Sequence, residues 1–259
     1  AALSTDEALL GQLFQYRIAS GNASLEGHSF GNLFISALAE ITGSFEEAIA
    51  ESGRVLGVQG RVLPSTLHDV RLSADVLLPH TTMEVRVEGE SKIPLSKGRI
   101  RRVWLEPSNP PAFPRAIHAI LNADIVIIGP GSLYTSILPN LLVPDLVDAV
   151  KATRALKLLV CNVATQPGET DNFSCGDHLR VIEEHLGSGL FDLAIVNQQY
   201  QGMLPETVKW VEIDKDLDDD FPLYRADLID NMHPWRHDSQ KLAQVIIDLY
   251  SERTGPLVE

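Results

Sequence analysis

The sequence is poor in several things that usually steer a functional reading. Two cysteines in 259 residues are too few for a disulfide framework or a cysteine-built metal centre. No run of 18 apolar residues occurs, so no stretch is fit to span a bilayer as a helix, and no membrane partner is expected. Cations are scarce: 21 Lys and Arg face 35 Asp and Glu, for a net charge of −14. That balance argues against nonspecific binding of nucleic acid or anionic lipid. The first residues lack a basic stretch followed by an apolar one, so no secretory signal is read and a cytoplasmic location is expected. No G-x-S-x-G elbow, HExxH or Cys/His pair stands in a supporting context, so no catalytic residue is assigned.

What is present is a large apolar fraction, 44%, with strong local patterning. Residues 4–19, STDEALLGQLFQYRIA, read as a capped amphipathic helix. The glycine-rich stretch 21–32 leads into apolar helical spacing from Leu33, with a break at Thr42-Gly43-Ser44. His28, Ser29 and Asn32 lie where that loop meets the helix, as ligand donors or as capping groups. Residues 54–106 change period. Short β-branched segments such as RVLGVQGRVLP, HDVRLSADVLL, TTMEVRVEGES and GRIRRVWLEP predict an antiparallel meander or a β extension. An edge strand there is a plausible homo-oligomer surface.

The core of the reading is Ala123 to Ile137. An apolar β-branched run, Ile125-Val126-Ile127-Ile128, enters Gly129-Pro130-Gly131-Ser132 and then a helix-like segment. Such a run suits a parallel sheet buried on both faces. The glycines let the backbone turn tightly and let a ligand approach main-chain N–H groups. Ser132 is placed to cap the next helix, whose N-terminus favours an anion. The alternative is an ordinary strand–helix turn with glycines for packing.

Two more strands repeat the theme. Residues 157–163, KLLVCNV, end in Ala164-Thr165-Gln166-Pro167-Gly168-Glu169-Thr170, and residues 193–197, LAIVN, end in Gln198-Gln199-Tyr200. Parallel strands share direction, so all three loops meet at one rim, where open α/β sheets bind ligands. The acidic residues Asp214, Asp216, Asp218, Asp219 and Asp220 read as a solvated loop rather than a calcium site, because an EF-hand's spacing is absent. His233 and His237 suggest zinc only weakly, with Pro234 between them and no third ligand. Arg236 is the cation placed to reach toward the rim. The closing helix, with Leu242, Val245, Ile246 and Leu249, is capped by Asp238 or Ser239.

Taken together, GHSFGNLF at 27–34, GRVLPST at 60–66, GPGSLYTSILPNLLV at 129–143, NVATQPGET at 162–170 and RHDSQKLA at 236–243 resemble the YvcK/CofD-like family. That family comprises gluconeogenesis factors of bacteria and 2-phospho-L-lactate transferases. The resemblance covers essentially the whole chain. It implies a single α/β domain over 1–259, with a Rossmann-like three-layer fold, a mainly parallel sheet and a β-rich insertion. Within it, 54–106 is the β-rich extension, 107–200 the parallel-sheet core and 201–259 the C-terminal loop and helix. The family's opening strand, glycine phosphate loop and metal-associated Asp have no counterpart here. The chain therefore reads as N-terminally truncated, and the resemblance implies Mg2+ only through that segment.

For function the resemblance implies a UDP-sugar-binding regulator of carbon metabolism, cell shape and wall synthesis, with no turnover assigned. The alternative is a phospholactyl transferase of deazaflavin coenzyme synthesis. By motif, Gly129, Gly131 and Ser132 would be backbone and hydroxyl donors. Asn162, Thr165, Gln166 and Glu169 would contact sugar or base. Asn197 and Tyr200 would complete the rim, Tyr200 by stacking, and Arg236 would pair with the diphosphate.

Overall fold

The computed structural model describes residues 12–14, 16–18, 29–57 and 60–254. The helix read over 4–19 and the candidate His28 fall largely or wholly outside them. The chain divides into two compact units, Ala1–Leu67 and His68–Glu259.

In the first unit, α1 (Phe30–Thr42) begins at Ser29, whose hydroxyl accepts from the Asn32 N–H at 3.2 Å. It ends at Gly43, in the left-handed conformation at φ 75°. α2 (Phe45–Val55) starts one residue later on the Ser44 cap, with Glu46 and Glu47 in its first turn. The break read at 42–44 is thus a C-cap followed at once by an N-cap. Helices α1 and α2 pack on each other, and Phe14 meets Phe30 and Phe34 edge-on.

The second unit carries two sheets. β1 (Arg71–Leu77), β2 (Glu84–Glu88) and β3 (Arg99–Glu106) form an antiparallel sheet in the order β2-β1-β3. It is not a meander, because β3 returns to the far side of β1. Within 54–64, read as the first β segment, the described residues form no strand: α2 runs through Val55, and 61–64 is irregular. On β3, Ile100, Val103 and Leu105 are buried, whereas Arg99, Arg101 and Arg102 face solvent. That is the alternation of a half-covered strand.

Helix α3 (Pro114–Leu121) leads into the parallel sheet, β4 (Ile125–Ile128), β5 (Leu156–Val160), β6 (Leu193–Asn197) and β7 (Leu223–Ala226), ordered β4-β5-β6-β7. Between β4 and β5 lie a single π-helical turn at Leu133–Ile137, then α4 (Leu138–Leu141) and α5 (Pro144–Ala152). α6 (Cys175–Leu186) joins β5 to β6, and α7 (Leu217–Asp220) precedes β7. The closing α8 (Ser239–Thr254) brings Leu242 and Leu249 against Leu158, Ile195 and Leu228 in one apolar cluster. The expected mixed α/β fold with a mainly parallel sheet is therefore present.

Three local features add to the reading. β7 was not anticipated, because Leu-Tyr-Arg-Ala is short and half polar. Pro139 falls within a helical stretch without breaking it. It occupies the first turn of α4, where a missing N–H costs nothing, and the turn before it closes through a wide bond from Ile137 N–H to Ser132 C=O at 2.8 Å. Cys175 opens α6 and is buried.

Candidate functional site

The carboxyl ends of β4, β5 and β6 do bring their loops to one rim, and side chains of the β5 loop hold the β4 loop in place. Asn162 donates through Nδ2 to the Gly131 carbonyl at 2.8 Å. Gln166 donates through Nε2 to Ser132 Oγ at 2.9 Å, and the two amides meet at 3.3 Å. Glu169 accepts from the Tyr134 N–H at 3.2 Å and from the Thr135 hydroxyl at 2.8 Å. Positions i, i+4 and i+7 of one loop thus fix residues 131–135 of another. The turn also needs glycine at both ends of this contact. Gly129 has φ 84°, and a Cβ there would lie 3.0 Å from the Val160 carbonyl oxygen. Gly168 has φ 83°, and its Cβ would overlap the Pro94 carbonyl at 2.1 Å.

Ser132 sits at the cap position but makes no capping bond through its side chain. The anion at this helix start is the chain's own Glu169. Helix N-termini favour negative charge, and the site is filled from 35 residues away in sequence. Burial pushes the Glu169 carboxyl up from its usual range, and the bonds from Thr135 and Tyr134 only partly oppose this. Glu169 is 9% exposed, and no ion pair among the described residues involves it.

The remaining candidates separate by how much of their bonding capacity is already used. Thr165 is buried; its Oγ1 accepts from the Lys209 N–H at 2.9 Å and its N–H donates to the Lys209 carbonyl. Asn197 is buried, with Oδ1 accepting from the N–H groups of Gln199 and Leu228. These two tie the rim together from behind. Ser29 is used as a cap, accepting from the Asn32 backbone N–H at the start of α1, and the Asn32 side chain is exposed. By contrast, Ser132, Asn162 and Gln166 are only half-buried. Ser132 Oγ accepts from Gln166, which leaves its O–H to donate outward. The N–H groups of Gly131 and Ser132 donate to no other described residue. Tyr200 is 37% exposed; its hydroxyl donates to the Asn197 carbonyl and accepts from Ile213 N–H. Arg236 is exposed, and its guanidinium forms no ion pair among the described residues.

Sequence reasoning took His237 only as a weak zinc ligand, without placing it beside the rim, and missed Thr135. His237 Nε2 donates to the Cys161 carbonyl at 3.1 Å, at the carboxyl end of β5, and burial lowers its pKa below the usual 6.5. The i+1 position beside Arg236 was a usable signal for it. Nothing in GPGSLYT distinguished Thr135. Cys161 and Cys175 share a hydrogen bond which, with burial, pushes the Cys161 thiol well up, so Cys161 is a neutral thiol and no nucleophile. Among the described residues no three His, Cys, Asp or Glu side chains are grouped to hold a metal ion, so none of the described residues is assigned to one. Beside the rim, Trp210 meets Tyr200 edge-on at 6.0 Å. It also lines a groove of about 550 Å³ with Phe173, Leu204, Val208 and Lys209.

Fold and rim together define an α/β protein with polar loops gathered at the carboxyl ends of a parallel sheet. The comparisons with known proteins make this specific. The sequence model of the family described as 2-phospho-L-lactate transferase CofD matches residues 1–253. The gluconeogenesis factor of Bacillus subtilis is 40% identical over 272 residues, which cover 97% of this chain and 80% of that protein. An Aquifex aeolicus relative is 44% identical, covering 96% and 77%. A Nostoc relative is 51% identical over 200 residues, but these span only 42% of its length. A crystal structure of a UPF0052 family protein from Bacillus halodurans superimposes with a TM-score of 0.81 at 36% identity, covering 95% of this chain and 80% of that one. The chain belongs to the CofD family.

Proposed function

We propose that this chain binds a nucleotide sugar at the carboxyl rim of the parallel sheet and acts as a regulator of carbon metabolism. The observation that carries the reading is the β4 loop. Two main-chain N–H groups donate to no described residue and the Ser132 hydroxyl, which accepts from Gln166, keeps its O–H to donate outward, on a loop fixed from behind by Asn162, Gln166 and Glu169. Pre-fixed donors of this kind bind phosphate or sugar oxygens without an ordering cost. Arg236 adds a guanidinium that can pair bidentately with a diphosphate. Tyr200 offers a half-exposed ring for stacking. The Bacillus subtilis relative is called a gluconeogenesis factor, which supports the link to carbon metabolism; roles in cell shape and wall synthesis belong to the same proposal.

The test is calorimetric and thermal-shift titration with UDP-N-acetylglucosamine, UDP-glucose and GDP. Ligand at a hundredfold excess over Kd stabilises by about 2.7 kcal/mol. A shift with a UDP-sugar that Arg236→Ala abolishes is the expected result, and no shift with any of the three sinks the reading. The family's transferase description over residues 1–253 favours a second reading, a phospholactyl transferase in which the rim orients two substrates. Turnover of a lactyl nucleotide with a deazaflavin acceptor would decide for it.

A further inference from the structure

Among the described residues Glu169 is the one rim acid that is buried, and none of them gives it a cation. Its partners are the N–H groups of Tyr134 and Thr135 and the Thr135 hydroxyl, and the charged group bearing on it is Glu90, a like charge on the turn after β2. A carboxylate placed this way is costly to keep ionised. Gly131 and Ser132, whose N–H groups donate to no described residue, lie two to three residues before Tyr134. Two to three residues span at most about 7–10 Å, comparable with the screening length of roughly 8 Å at physiological salt, so a phosphate held there is not fully screened from the groups that hold Glu169. Two negative charges so close, one buried, repel. Protonation removes the conflict without dismantling the loop, since the Thr135 hydroxyl can reverse from donor to acceptor and receive the new O–H.

We propose that Glu169 makes binding of a phosphate group at Gly131 and Ser132 proton-linked: the phosphate is taken together with one proton, drawn from solvent onto the Glu169 carboxylate. This rests on the nucleotide-sugar reading of the rim. Glu169 thereby sets specificity. At higher pH the loop favours a neutral hydroxyl-bearing partner, and at lower pH it favours an anion.

The experiment is calorimetry of the full chain with UDP-N-acetylglucosamine, whose diphosphate stays ionised throughout, in two buffers of different ionisation enthalpy. The range runs from the ordinary carboxyl value of 4.5 up to about pH 8, and within the linked window one proton gives up to roughly tenfold weaker binding per unit of rising pH. The expected result is buffer-dependent heat showing proton uptake, and affinity falling with pH. Glu169→Gln keeps an acceptor for Tyr134 N–H without the charge, and should bind more tightly at the upper end with a flat profile. Two further variants leave Glu169 in place and move the midpoint in opposite directions. Glu90→Gln removes the like charge and shifts it down, whereas Thr135→Val removes the stabilising donor and shifts it up. A purely structural Glu169 would give neither shift.

His237, the other titratable group found beside the rim, would give a slope of the same sign. A slope that survives in Glu169→Gln would therefore assign the linkage to His237 and overturn the proposal. Binding with no proton uptake and no pH dependence also overturns it, while leaving the nucleotide-sugar reading intact. No binding in either wild type or Glu169→Gln overturns both.

Discussion

Two helix starts in the second unit face the same problem and solve it differently. α6 is capped by its own sequence: Ser174 accepts from the Asp177 N–H, and Asp177 accepts from the Ser174 N–H at 2.9 Å, a reciprocal capping box. From afar, the Glu212 carbonyl accepts from Cys175 N–H and Asp214 from Gly176 N–H, so its remaining first-turn donors are taken too. The turn at Leu133–Ile137 has a serine in the same place, yet its N–H groups are taken by Glu169. At the first site the cap closes the helix and leaves nothing for a ligand. At the second, the remote cap frees the Ser132 hydroxyl and the preceding N–H groups. A rim can stay open to ligand because another loop supplies what its own residue would have supplied.

The contrast can be broken most forcefully at the remote cap. Gly168→Ala should unfold or severely weaken the 162–170 loop. The Cβ would sit 2.1 Å from a backbone oxygen at positive φ, with an expected loss of about 3 kcal/mol or more in denaturant titration. Glu169→Ala should cost about 1–3 kcal/mol, because it leaves buried donors at Tyr134 and Thr135 without an acceptor. If the loss is no larger than at an exposed site, the long-range cap is not what holds the turn. Ser174→Ala should cost about 1 kcal/mol, with ligand binding unchanged. If it weakens binding as much as Glu169→Ala does, the two helix starts are not functionally distinct.

The smallest effect concerns pH. Burial lowers the pKa values of His178, His185 and His237 below 6.5. Each is neutral when folded, so the stability it contributes is present above 6.5 and lost as pH falls through its lowered folded value. Glu169 has the opposite sign. Its raised carboxyl pKa means its contribution is greatest below its unfolded value of 4.5 and declines as pH rises through its folded one. Thermal melts should therefore fall on acidification from neutral, less steeply in wild type than in Glu169→Gln. His185→Gln should flatten the fall by removing the group whose Nε2 accepts from Val103 N–H at 3.2 Å. Melts insensitive to pH across this range would contradict the burial of these rings.

The sequence carried the parts of this protein that depend on local order. Ile125-Val126-Ile127-Ile128, the β5 run and Leu193 to Asn197 are apolar over strand lengths, which is enough to predict parallel strands and one shared rim. Ser29, Ser44 and Gly43 mark helix ends through chemistry confined to a few neighbours. The sequence also brought out Glu169, but as a ligand contact. Its actual partners lie 34 and 35 residues earlier, and no pattern within a window of a dozen residues could assign them. The same holds for Thr165 with Lys209 and for Asn197 with Leu228, whose side chains were available to a ligand until folding used them. Hydrophobic period and capping act between neighbours and are written in order along the chain. Which polar groups remain unpaired is decided only when distant loops meet.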